Sequence, residues 1–159
     1  MSKTIIHPVR QTGSVLLESL IAILIFSMGI LALVSMQAVA VNASSDAKYR
    51  SDATLLANEL IGRMWVSDRT LLTLQTNFAN PTGTAYQAWA WVGTAAGDAG
   101  TQSAPTPGTV LELLPGARAA ANLPTVNITD AYLVTITVYW QASNDAPRHK
   151  YVTQTQIGG

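Results

Sequence analysis

Between Val15 and Val41 the chain carries a single charged side chain, Glu18, and its other polar residues there are Ser19, Ser27, Ser35 and Gln37. In helical form a run of this length reaches about 40 Å at about 1.5 Å per residue. The hydrocarbon core of a bilayer takes about 20 mostly apolar residues to cross, so the run is long enough to span one. Lys3 and Arg10 precede it, and the next basic residue is Lys48. Positive charge on the leading side predicts a cytoplasmic N-terminus, with the C-terminal part of the chain on the far side of the membrane.

Two ordinary readings fit this pattern. A cleaved secretory signal would use Lys3 and Arg10 as its basic region, Leu20 to Val34 as its apolar core, and Ala38-Val39-Ala40 as its cleavage site. The released product would then be a soluble exported binding domain. An uncleaved anchor would use the same run as a plain membrane helix. Neither needs Glu18, and a carboxylate costs a few kcal/mol if it moves toward the bilayer centre.

A third reading uses the acid. Gly13-Ser14-Val15-Leu16-Leu17-Glu18 resembles the processing site of type IV prepilins and pseudopilins. The resemblance implies that a prepilin peptidase cuts after Gly13 and methylates the new N-terminal amine on Ser14. It also implies that Glu18, four residues on, pairs with the amine of a neighbouring subunit as an assembly contact. A glycine suits the scissile position because extended backbone without a Cβ enters a tight cleft. Buried charges persist only when paired, so such a contact would set subunit register. Ser14 departs from the phenylalanine or methionine usual in the family.

Leu16 to Gln37, with Ser27-Met28-Gly29-Ile30-Leu31 followed by Gln37, is similar to the minor-pilin group called PilV. Val134-Thr135-Ile136-Thr137-Val138-Tyr139-Trp140 is similar to a strand that recurs in that group. The resemblance covers the first 65 residues closely and residues 130–157 loosely. It implies a minor pilin of the inner membrane that enters a pilus, in support of adhesion or twitching motility. Its implied partners are the prepilin peptidase, other minor pilins, the major pilin and the inner-membrane assembly platform. A type II secretion pseudopilin is the alternative within the family. Gly29 costs about 1 kcal/mol in a helix relative to alanine. Its use is either to weaken the helix or, with Ser27 and Ala32, to let helices pack closely.

The expected fold is α+β, with a long N-terminal helix on a small antiparallel sheet. Residues 1–13 are the expected leader, 14–41 the membrane and filament-core helix, and 42–159 the head. Within the head the helix continues to about residue 66. Ala53, Leu56, Ala57, Leu60 and Met64 recur at helical spacing and predict a core-facing stripe. Lys48, Arg50 and Asp52 read as a solvated face. Tyr86 to Gly93 alternates, which predicts a strand and places the start of the sheet near residue 85. Trp89 and Trp91 would share one face of it, in the core or as an adhesive surface. Ala96 to Gly108 reads as a Gly/Ala/Pro-rich loop, and Val110 to Leu123 as a short helix interrupted by Pro115-Gly116. Leu133 to Trp140 is the clearest strand, Ser143 to Arg148 a loop, and Tyr151 to Ile157 the hairpin partner.

Composition narrows the remaining functions. Net formal charge is zero, so no basic field points to nucleic acid. The chain has no cysteine, which removes disulfides, thiolate metal sites and cysteine nucleophiles. His7 lies in the leader and His149 in an expected loop, with no cluster at metal-ligand spacing. No phosphate-binding loop and no nucleophile elbow is present. The sequence therefore predicts no catalytic residues and no cofactor, and makes the protein a substrate of its processing enzyme.

Overall fold

The computed structural model describes residues 12–91, 107–142 and 147–158. The expected leader therefore lies outside the described residues except for Thr12 and Gly13. Most of the 96–108 loop and residues 143–146 also lie outside them. The chain divides into two compact units, Met1–Ser44 and Ser45–Gly159. A single helix, α1 (Thr12–Val66), runs through the sequence of both.

The described residues of the first unit are helix alone. From Ser14 to Ser44 every side chain is exposed. Phe26 is 68% and Met36 72% accessible. This stretch is apolar on all sides, as a helix surrounded by lipid or by other helices must be.

The second unit holds the core. Ser45 to Val66 of α1 is amphipathic, and the stripe Ala53, Leu56, Ala57, Leu60 and Met64 is buried as its spacing predicts. Lys48 and Asp52, one turn apart, make an exposed ion pair at 3.1 Å on the solvent side. Asp68 then turns the chain, accepting hydrogen bonds from the Thr70 N–H and the Thr73 hydroxyl. Thr70 caps α2 (Leu71–Phe78), which buries Leu74 and Phe78.

Residues 84–90 form a helix, α3 (Thr84–Ala90), where alternation predicted a strand. Tyr86, Trp89 and Ala90 are its buried residues, at helical spacing. Gly83 starts it because a Cβ there would lie 2.4 Å from the Asn77 carbonyl oxygen. Trp89 and Trp91 are both core residues, 2% and 3% accessible, so they present no adhesive face. The Tyr86 hydroxyl donates to the Pro124 carbonyl at 2.7 Å, and burial pushes its pKa well above the ordinary tyrosine range.

Val110 to Leu123 behaves as its sequence predicts. Helix α4 (Val110–Leu113) stops before Pro115-Gly116, and a 3-10 turn follows at Ala120–Asn122. Gly116 has φ +68°, and a Cβ there would sit 2.6 Å from the Gln141 carbonyl oxygen.

Among the described residues the sheet starts at residue 125, not near 85. It has three antiparallel strands in the order β1 (Thr125–Ile128), β2 (Leu133–Trp140), β3 (His149–Gln156). Val134, Ile136, Val138 and Trp140 of β2 face the core. The long helix packed on this sheet makes the fold α+β, as expected. His149 opens β3 and does not lie in a loop. Its ring stacks on Trp140 at 5.7 Å, and Asp46 of α1 accepts a hydrogen bond from the Trp140 indole at 3.0 Å.

Two core tryptophans allow a direct check of this packing. The Trp89 indole donates to the Leu56 carbonyl at 2.9 Å. The buried Trp91 indole N–H has no partner among the described residues. Substitution by phenylalanine removes the same ring volume at either position. Trp89→Phe should therefore destabilise more than Trp91→Phe, by about 2 kcal/mol in chemical denaturation.

Candidate functional site

The site the sequence singles out is the start of α1. The described part of α1 runs from Thr12, so the Gly13–Ser14 bond lies within helical backbone. Ser14 and Glu18 are four residues apart in the helix and so share a face. Both are exposed. Among the described residues Glu18 has no ion pair or hydrogen bond, and its side chain is free to meet a group from outside.

The apolar stretch beyond it keeps most of its polarity to itself. The Ser19 hydroxyl donates to the Val15 carbonyl at 2.8 Å, and the Ser27 hydroxyl to the Ile23 carbonyl at 2.7 Å. Such back-bonding satisfies a hydroxyl within its own helix, which hydrocarbon requires. Among the described residues, its own helical backbone aside, nothing comes within 4 Å of where a Cβ on Gly29 would lie. The helix is continuous through Gly29. Intramolecular packing therefore does not explain this glycine.

By length and composition α1 holds a segment able to cross a membrane, and none of that segment is buried within the chain. Exposed apolar surface of this kind is characteristic of membrane or protein contacts.

Elsewhere the described residues offer little chemistry. They contain no group of three metal-ligating side chains. The Glu59–Arg63 pair, 2.5 Å apart, is exposed on α1. Sequence reasoning missed Asp46, whose carboxylate lies 3.6 Å from the His149 Nδ1 and bonds the Trp140 indole. Nothing in its local sequence marks it, because its partners are far along the chain.

Comparison with protein-family models, with curated proteins and with solved structures returns no match.

The membrane-competent stretch makes a direct prediction. Leu24→Arg puts a charge near its middle, at a cost of about 3 kcal/mol for insertion. That variant should become extractable from membranes at alkaline pH. Leu55→Arg, also on an exposed α1 position, should stay membrane-bound.

Proposed function

We propose that the protein is a minor type IV pilin of the PilV kind, held in the inner membrane by α1 and then incorporated into a pilus. The observation that carries this reading is Glu18. It is the one acid in an exposed apolar stretch, it lies one turn beyond Ser14, and it has no partner among the described residues. Cleavage after Gly13 would create a positive amine on Ser14. A helix-to-helix assembly then brings the amine of one subunit to the Glu18 of the next, and each charge satisfies the other away from water.

Two further features support the reading. The side chains from Ser14 to Ser44 are exposed, so this part of α1 is available to lipid before assembly and to neighbouring helices after it. The open space around Gly29 suits a close-packed helix from another subunit, since small residues let backbones approach. Processing requires the helical backbone to open at Gly13, where glycine lowers the cost of an extended conformation.

In this account the peptidase acts on residues 13 and 14, and Glu18 acts at the later assembly step. Glu18→Ala should leave processing intact while the amount in sheared surface filaments falls by about tenfold or more. That loss corresponds to leaving one buried charge unpaired. Glu18→Asp, which keeps the charge on a shorter arm, should fall between wild type and alanine. Normal incorporation of Glu18→Ala would remove the basis for the amine contact.

A further inference from the structure

The two edges of the sheet are treated differently. β1 is covered. The Val126 N–H donates to the Asn80 side chain at 2.8 Å, and the Val126 carbonyl accepts from the Asn80 N–H at 3.3 Å. The Ile128 carbonyl accepts from the Gln75 side chain at 3.3 Å. Asn80, through side chain and backbone, and the Gln75 side chain thus occupy three outward groups of that strand.

Among the described residues β3 has no such cover. Thr129 bonds the Leu133 carbonyl, so Leu133, Thr135, Thr137 and Tyr139 turn their backbone groups toward β1. The alternate residues of β2 then bond β3 at Thr155, Thr153, Tyr151 and His149. This leaves Lys150, Val152, Gln154 and Gln156 with their N–H and C=O groups directed outward. Among the described residues nothing bonds those groups, and all four residues are exposed. The strand contains no proline, and its pairing with β2 is continuous without a bulge. Lys150 is its only charged deterrent to pairing, apart from His149 near the end. Long open edges of this kind are templates for another strand.

We propose that the β3 edge is a binding site for an extended strand of another polypeptide, which adds antiparallel to the sheet. Its recognition chemistry follows from the two faces. On the core side the incoming residues would lie beside Tyr151, Thr153 and Thr155, which are half-buried. β-branched or aromatic side chains suit those positions. On the solvent side they would lie beside Lys150, Val152, Gln154 and Gln156, where polar residues fit and a carboxylate opposite Lys150 is favoured. Main-chain hydrogen bonds supply affinity and these alternating positions supply selectivity.

A second copy of β3 is the poorer occupant. A symmetric antiparallel pair requires a half-turn about the sheet normal, which reverses the direction of the helix packed on the sheet. Copies inserted in one membrane carry α1 in the same direction. Only this choice against self-pairing rests on the membrane reading; the open edge does not, so either can fail without the other.

The test uses the full chain in detergent and a synthetic eight-residue peptide that alternates threonine and valine, with glutamate at the position opposite Lys150. Saturable binding is expected, with slowed amide exchange at Lys150, Val152, Gln154 and Gln156 and no change at Tyr151, Thr153 or Thr155. Val152→Pro removes an outward N–H and leaves the β2 ladder its donors. It should keep the native circular dichroism and weaken peptide binding by about tenfold or more. Gln154→Pro is an independent block if the first variant misfolds. Absence of saturable binding, or binding equal to wild type in the correctly folded proline variants, overturns the proposal. The cysteine-free background allows one more arm. Disulfide-linked dimers of Thr153→Cys would identify a second copy as the occupant and overturn the heterologous strand.

Discussion

One helix here has to satisfy two surroundings, and the rest of the structure follows from how its sequence divides the task. From Ser14 to Ser44 α1 is apolar on every side and exposed. From Ser45 to Val66 one face is buried, at Ala53, Leu56, Ala57, Leu60 and Met64. Helix propensity alone would not hold so long an element, since most helical stability in proteins comes from packing. The second half is held by the core of its own unit. The first half depends on a medium the chain does not supply.

Contacts within the second unit tie distant parts of the sequence to that helical face. The Trp89 indole bonds a backbone carbonyl of α1, and Asp46 bonds the indole of Trp140 at the end of β2. Both indoles lie against the core with their polar ends satisfied, as buried tryptophans usually do. His149 stacks on Trp140 from the next strand. These anchors fix the hairpin of β2 and β3 on one side and leave its outer edge free. The opposite edge is closed by Asn80 and Gln75. The sheet thus has one finished edge and one that can still accept a strand.

What could be read from the sequence depended on the length and regularity of each pattern. The α1 stripe repeats over several turns, and β2 alternates over eight residues, so both were legible with their boundaries. The segment at Tyr86 is ambiguous in sequence, because seven residues can alternate and also match helical spacing. The buried set Tyr86, Trp89 and Ala90 decides for the helix. α2 was missed although Asp68 and Thr70 before two leucines form a helix-start signal. β1 has only four residues, too few for a periodicity, and its edge cap comes from Asn80, far away in the chain. Of the site residues, the spacing of Ser14 and Glu18 was legible because local helix geometry alone sets it. The Asp46 contacts were not, because they depend on tertiary structure.

The central claim is that α1 is a processed helix whose new N-terminus meets Glu18 of a neighbour. The most direct measurement is the mass of the N-terminal peptide of the mature protein recovered from cells. The account predicts a chain that starts at Ser14 with a methylated amine. A chain that starts at an unmodified Val41 would show export by signal peptidase and contradict it, as would a protein that retains residues 1–13.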